Sequence, residues 1–199
     1  MSLTPQEERL IRLAVAVAQR DTELLRELRR AAPKGEPDRA WRETLLQTHL
    51  FAGFPSVVEA LRVLDQAGGI GTPTDEEARL GADDLEAGEE FFGKIYGENA
   101  AAVRTRIAST HPLFERWVIG HAYGRVLTRE GLSPRLRELL AVACLAAQGL
   151  ERQLASHVRG ALAVGAKTDD VDATLEVIAD RLTPRERERA QEVVARFSR

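Results

Sequence analysis

Glu138 and His157 are the two residues whose types and spacing point most directly to chemistry. Glu138 lies 11 residues before Gly149 and His157 lies 8 residues after it, each in an apolar segment of helical character. If the chain turns back at Gly149, a rise of about 1.5 Å per residue places the two side chains within about one helical turn in height. A carboxylate beside an imidazole is typical of proton transfer near neutral pH, with the acid orienting the ring.

The same spacing is also compatible with a buried polar pair that serves only hydrogen bonding and packing. Arg135, Arg137 and Arg42 are alternative partners for the carboxylate of Glu138. The sequence therefore leaves two interpretations of this pair open.

Two further residues are candidates for binding an anionic substrate. His121 follows Trp117 by four residues, so the two share a helix face that could line a pocket. Arg135 begins the helix that carries Glu138, and a guanidinium can hold a carboxylate through two parallel hydrogen bonds.

The remaining reactive residue types point to structural roles. Cys144 lies in the middle of an apolar helix, where a lone cysteine is typically a small core residue. His49 fits a core or interface position, and His111 precedes a proline at the start of a helix. The histidines do not have the spacing of an HExxH zinc motif, and no dinucleotide, Walker or nucleophile-elbow motif occurs. We therefore expect neither a metal site nor a cofactor.

Composition restricts the class of protein. The 199 residues carry 28 Lys and Arg against 31 Asp and Glu, for a net charge of −3. This balance gives no electrostatic reason to expect a nucleic acid or an anionic membrane as partner. One cysteine excludes an internal disulfide and a CxxC pair. Without a transmembrane stretch or a secretory signal at the N-terminus, we expect a cytoplasmic protein. Abundant Arg and Glu with little Asn and Met fit a thermophile, and GC-rich coding produces the same arginine bias.

The pattern of the whole chain predicts helices. Thr4-Pro5-Gln6-Glu7 and Thr183-Pro184-Arg185-Glu186 each have the form of a capping box with proline at the first helical position. Apolar periodicity predicts helices from these caps to about 19 and 197, and also near 22–32, 39–52, 55–67, 84–96, 99–109, 112–128, 134–148, 151–164 and 169–180. A glycine- and proline-containing loop over 68–83 separates an N-terminal unit, 1–67, from a larger unit, 84–199. One compact domain with a surface loop is the alternative.

Two segments of the chain also resemble each other in sequence. Residues 9–35 and 137–165 both run as an apolar helix, a short break, an amphipathic helix and a glycine. This pattern favours two degenerate repeats, with chance similarity between two Ala/Leu-rich hairpins as the alternative.

Residues 88–178 resemble the carboxymuconolactone decarboxylase family, which includes the alkylhydroperoxidase-D-like proteins. The matching pieces are HPLFERWVIGHAYGRVL, GLSPRLRELLAVACLAAQG and ERQLASHVRGALAVGAKTDDVDATLEVI. The family's closing Ala-Gly-x-Pro turn is missing downstream and occurs earlier, as residues 52–55. The chain therefore resembles either two modules eroded in different halves or one permuted module, and we expect segments 39–67 and 134–164 to pack together.

The resemblance implies an all-α, alkylhydroperoxidase-D-like bundle built around antiparallel helical hairpins, usually assembled as a homo-oligomer. It assigns Glu138 and His157 to the family's acid and histidine. The cysteines of the peroxide-reducing branch fall at Leu150 and Gln153, so a dithiol cycle is not available. The resemblance therefore implies cofactor-free, lyase-like acid–base chemistry on a small organic acid or lactone. A non-catalytic helical assembly protein is the first alternative, and peroxidase activity through Cys144 alone is the weaker one.

Overall fold

The chain folds into a bundle of helices. The computed structural model describes residues 3–78 and 85–197, and all regular structure in these ranges is helical. The elements are α1 (Pro5–Gln19), α2 (Thr22–Ala31), α3 (Asp38–Ala52), α4 (Phe54–Gln66), α5 (Asp75–Ala78), α6 (Leu85–Tyr96), a 3₁₀ turn (Gly97–Asn99), α7 (Ala100–Thr110), α8 (Pro112–Trp117), a π-helix (Val118–Leu127), α9 (Pro134–Ala147), α10 (Glu151–Ala163), α11 (Thr168–Val177), a second 3₁₀ turn (Ala179–Arg181) and α12 (Pro184–Ala195). The predicted all-α class is confirmed.

Several predicted boundaries fall outside the described ranges. Residues 79–84 include the end of the predicted linker, 68–83, and the first residue of the helix predicted over 84–96. Within the described ranges, no helix is both long enough and apolar enough to cross a bilayer.

The helix starts follow the capping chemistry of the sequence. The Thr4 hydroxyl accepts a hydrogen bond from the backbone N–H of Glu7 at 3.2 Å, and the Glu7 carboxylate accepts from the Thr4 N–H at 2.8 Å. Thr183 and Glu186 form the same reciprocal pair at α12. Both capping boxes are therefore confirmed.

Two units of four helices, α1–α4 and α9–α12, share one packing pattern. In each unit the first helix packs against the other three, and the fourth packs against the second and third. The cap residues Thr4 and Ser133, and the left-handed turn residues Arg20 and Gly149, are each separated by 129 residues. The internal similarity between residues 9–35 and 137–165 thus corresponds to a repeated arrangement of helices.

Helix α9 is the centre of the bundle. Every residue from Leu136 to Ala147 is buried, as expected for a helix enclosed on all sides. It packs against both α1 and α3. The Gln47 amide of α3 donates to the Arg137 carbonyl at 2.6 Å, and the Gln148 amide donates to the Phe51 carbonyl at 3.1 Å. Segments 39–67 and 134–164 therefore touch, and α3 becomes one wall of the region around α9.

The predicted helix over 112–128 changes geometry at its midpoint. It is α-helical only to Trp117 and continues as a π-helix over Val118–Leu127. Gly88 of α6 packs so closely on this segment that a β-carbon there would lie 2.3 Å from the Ile119 carbonyl oxygen. Long π-helical segments are rare, and short π-helical turns are frequent at functional sites. The predicted helix over 169–180 also ends earlier, at Val177.

Candidate active site

The hairpin of α9 and α10 brings Glu138 and His157 together. Nδ1 of His157 lies 2.8 Å from Oε2 of Glu138. The Glu138 side chain is fully buried and that of His157 is 13% exposed. Because an ionised carboxylate can only accept hydrogen bonds, the shared proton resides on Nδ1. In the neutral ring, Nε2 therefore carries the lone pair and can act as a base.

The imidazole of His157 lies at a cleft of about 380 Å³. This volume is within the usual range for small-molecule sites. The walls are mainly aromatic and aliphatic, with two histidines and two tyrosines as the polar groups: Leu50, Phe51, Tyr96, Phe114, Trp117, Val118, His121, Ala122, Tyr123, Leu127 and His157. Most of the wall thus comes from α3, α6, α8 and the π-helix. An apolar cleft with a few convergent polar groups suits a small organic molecule with a polar reacting centre.

Two tyrosines supply neutral hydrogen-bond donors in this cleft. The Tyr123 hydroxyl donates to the Tyr96 hydroxyl at 3.3 Å, so the Tyr96 hydrogen remains for another acceptor. Burial raises the pKa of Tyr96, and burial followed by the proximity of Tyr96 raises the pKa of Tyr123 well above its usual value. Both hydroxyls therefore stay protonated at neutral pH, and that of Tyr96 can donate to a ligand oxygen.

His121 lies in the cleft as part of a histidine pair. Its Nε2 is 2.7 Å from Nε2 of His49, whose Nδ1 bonds to the Leu46 carbonyl. Since Nδ1 of His49 must donate to that carbonyl, Nε2 of neutral His49 accepts from His121. His49 also stacks on Phe54, with ring centroids 4.8 Å apart. His49, which we expected in a core or interface, thus orients His121, the candidate substrate-binding histidine.

Gly160 makes room for the buried carboxylate. A β-carbon at this position would lie 2.6 Å from Oε2 of Glu138 and 3.0 Å from Cγ2 of Ile95. Only glycine lets α10 approach the acid this closely. The spacing His157-x-x-Gly160, one turn along α10, is the signal in the sequence that could have identified it.

Replacing Gly160 with alanine is expected to lower the free energy of unfolding by about 1–3 kcal/mol, because the new methyl group overlaps the Glu138 carboxylate. Urea unfolding measures this loss. Gly93→Ala is the matched control, since nothing lies within 4 Å of a β-carbon there and alanine gains up to about 1 kcal/mol in helix propensity. Equal stability of the two variants would contradict the close packing at Glu138.

Arg135 is not brought to the cleft. Its guanidinium binds the carboxylate of Glu7 at 2.6 Å and that of Asp170 at 2.9 Å. The hydrogen bond from Arg135 lowers the pKa of Asp170. Because two carboxylates from α1 and α11 occupy this side chain, the structure does not support the expected contact with substrate, and we leave Arg135 out of the proposed site.

Cys144 and the two positions matched to the family's cysteines lie apart from this chemistry. Cys144 is buried within α9, and burial raises its thiol pKa to about 12. Leu150 and Gln153, which are exposed, replace the CxxC sulfurs. Within the described part of the chain, no three His, Cys, Asp or Glu side chains cluster closely enough to hold a metal ion.

The buried thiol should react slowly at every pH at which the protein is folded. A thiol-reactive aromatic disulfide should label native Cys144 far more slowly than the unfolded chain from pH 7 to 10, since burial raises the thiol pKa to about 12 and the thiolate stays a minor form. In urea, the rate of labelling should rise as the pH passes the ordinary thiol pKa of about 8.5. Absorbance at fixed reagent concentration follows the reaction. Rapid labelling of the native protein would show that the thiol is accessible.

Comparisons with known proteins identify the second half of the chain. Residues 112–195 match the model of the carboxymuconolactone decarboxylase family. A relative from Schizosaccharomyces pombe named "Peroxisomal protein 2" is 32% identical over 135 residues, covering 65% of this chain and 62% of the relative. A protein of the same name from Saccharomyces cerevisiae is 24% identical over 161 residues, covering 67% and 57%. The chain thus spans about three fifths of the curated relatives' lengths.

The names of these relatives correct one expectation. We expected a cytoplasmic protein, whereas both relatives are described as peroxisomal. The composition and the N-terminal residues on which that expectation rested do not identify a compartment. The expectation of a cytoplasmic location is therefore wrong.

The family match covers α8 to α12, which include the His157–Glu138 pair and the helices that hold it. All regular structure of the described residues is helical, as the resemblance implied. Residues 112–195 of this chain match the carboxymuconolactone decarboxylase family, in agreement with the resemblance seen in the sequence.

Proposed function

We propose that this chain catalyses cofactor-free proton transfer on a small organic acid or lactone, with His157 as the acid–base residue and Glu138 as its positioning residue. The observation that carries the proposal is the 2.8 Å bond between Nδ1 of His157 and Glu138, beside a cleft of about 380 Å³. This geometry supports the pairing that the family resemblance implies.

In the proposed step, Nε2 of neutral His157 removes a proton from a carbon next to a carbonyl group. The C–H bond breaks, its electron pair moves into the carbonyl to give an enolate, and the ring becomes an imidazolium beside Glu138. The enolate oxygen accepts a hydrogen bond from Tyr96. Return of the proton from His157 to another carbon completes an isomerisation. In a β-keto acid the bond between the α-carbon and the carboxylate breaks instead and CO₂ leaves, and the resulting enolate takes a proton from Nε2 of His157, whose ring begins this reaction as the imidazolium.

His121 is the proposed contact for a substrate carboxylate, which Nδ1 of its imidazolium form binds while Nε2 donates to His49. Its ring lines the cleft together with His157, and His49 fixes its orientation. The aromatic side chains of Phe51 and Trp117 enclose the apolar part of the substrate. The cleft thus fits a small molecule with one acidic end and a compact hydrocarbon or lactone body.

The test is exchange of carbon-bound hydrogen for deuterium. We expect the wild type in D₂O to accelerate exchange next to the carbonyl in at least one member of a panel of β-keto acids and carboxylated lactones, followed by proton NMR. His157→Ala should slow this exchange by about 100- to 10,000-fold. His111→Asn, which retains a capping side chain at α8, is the matched control and should exchange at the wild-type rate.

Two outcomes would contradict this proposal. Exchange by the wild type no faster than in buffer across the whole panel would remove the chemistry. Exchange by His157→Ala at the wild-type rate would remove the assigned base.

A second candidate function, a non-catalytic assembly protein, is favoured by exposed apolar side chains. Phe54, Val58 and Leu61 lie on one face of α4 and are 66%, 65% and 44% exposed, and Trp117 is 64% exposed. Such surfaces frequently mark protein contacts. Sedimentation analysis of Phe54→Glu and Val58→Glu tests this candidate function. An assembly role predicts that the variants form smaller particles than the wild type and that the wild type shows no His157-dependent deuterium exchange.

A further inference from the structure

A second hollow lies on another side of the helix that carries His157. It has a volume of about 520 Å³ and is formed by α7, α10 and the end of α12. Four arginines from these three elements line it: Arg106, Arg152, Arg159 and Arg196. We call this hollow the arginine groove.

The four arginines lack acidic partners. In the described ranges none of them forms an ion pair, whereas Arg135 and Arg137 are held by carboxylates. Glu151, the acidic residue that lines the groove, is paired with Arg189 at 2.9 Å. Arg159 lies over the ring of Phe197, 5.7 Å from its centroid, and a ring leaves the charge unneutralised. A local concentration of four cations without acidic partners in a chain of net charge −3 is therefore a feature of this groove and not of the overall composition.

We propose that the arginine groove binds a small molecule that carries two or more phosphate groups. A guanidinium presents donors in a planar fork that matches phosphate oxygens, which makes arginine the preferred residue for this contact. One carboxylate would leave three of the four charges unbalanced, whereas a diphosphate or triphosphate carries enough negative charge for all of them. The volume of the groove suits a ligand of this size.

The arginine groove also contains neutral hydrogen-bond donors and lies next to the cleft at His157. Gln153 and Ser156 add an amide and a hydroxyl to the groove. Ser156 directly precedes His157, so the two hollows share helix α10. The charge of Arg159 acts on Tyr96, which lines the cleft, and lowers the tyrosine pKa against the larger effect of burial.

Titration calorimetry with pyrophosphate and ADP as probes tests this proposal. The wild type should bind both in the micromolar range, more weakly as salt is added. Arg152→Ala combined with Arg159→Ala should raise Kd by about tenfold or more. Arg30→Ala combined with Arg185→Ala removes the same charge from exposed positions elsewhere and should leave Kd within about twofold.

A lysine pair separates folding from binding. Arg152→Lys with Arg159→Lys retains the charge and loses the forked donors, so it should bind more weakly than the wild type even if the alanine pair does not fold. Absence of binding by the wild type at millimolar probe, or equal weakening in the Arg30/Arg185 control, would overturn the proposal. A third result would also overturn it: the wild type forms an oligomer and binds neither probe, and the groove variant is a monomer. The groove would then be a contact between copies of this chain.

Discussion

Replacing Arg137 with methionine is expected to lower the free energy of unfolding by about 3–5 kcal/mol. The Arg137 side chain is fully buried at the centre of the bundle. It donates to Oε2 of Glu43 at 3.0 Å, to Oε1 of Gln47 at 3.1 Å and to the Arg129 carbonyl at 2.7 Å. Removing it leaves the buried Gln47 oxygen and the Arg129 carbonyl without this donor and leaves Arg129 as the remaining cation at Glu43.

The charge of Arg137 is held in a buried network of ion pairs. Burial lowers the pKa of Arg137, and the hydrogen bond to Glu43 opposes that shift. Glu43 is itself buried and is shared with Arg129 at 2.7 Å. The loss of one cation thus weakens a network that joins α3, α9 and the segment before α9.

Chemical denaturation in urea measures the effect of Arg137→Met. Arg187→Met is the matched control, because its partner Glu176 is exposed and such pairs contribute at most about 1 kcal/mol. A stability of Arg137→Met equal to the wild type would show that packing alone can replace the ion pair, as it does in some proteins.

Glu138→Met, unlike Arg137→Met, should lower the activity without lowering the free energy of unfolding. We expect unfolding to need as much free energy as in the wild type or up to about 2 kcal/mol more, while deuterium exchange slows by about 100-fold. Oε1 of Glu138 is buried without a hydrogen-bond partner in the described ranges. Keeping a carboxylate there costs free energy that an apolar side chain of similar length would not cost.

The activity should fall because His157 loses its orienting contact. Without the carboxylate, Nδ1 has no acceptor from α9 and the ring is free to adopt the other tautomer. Urea unfolding and the NMR exchange assay on the same sample provide both readouts. A large loss of stability in Glu138→Met would contradict this prediction and favour the interpretation of the pair as a structural contact.

The two variants compare adjacent residues of one helix. Arg137 and Glu138 are both buried charges, yet Arg137 is held by several acceptors and Glu138 by one ring nitrogen. A buried charge with few partners is retained against its cost in stability, which is typical of a functional position.

Much of the local structure could be predicted from the sequence. The capping boxes at Thr4 and Thr183 and the break at Gly149 depend on contacts within four residues, so neighbouring residues specify them. The register that brings Glu138 close to His157 also follows from local geometry, because a short turn joins two regular helices.

Other features required the tertiary structure. Arg137 was only an alternative partner for Glu138 in the sequence, and its contact with Glu43 spans 94 positions along the chain. The cleft brings Tyr96, His121 and His49 together from three separate elements, and no spacing rule connects them. The π-helix crosses α6 closely at Gly88, a contact between segments that lie apart in the chain.

The sequence by itself determined the helical class, most helix boundaries and the hairpin that pairs a carboxylate with an imidazole. These depend on hydrophobic periodicity, capping and chain reversal, which act over a few residues. Only the tertiary structure decided that Arg135 is occupied by Glu7 and Asp170, that a cleft opens at His157, and that four unpaired arginines share one groove. Long-range packing decides which side chains share a hollow, since the burial of apolar surface is non-directional and many pairings of helix faces satisfy the same pattern.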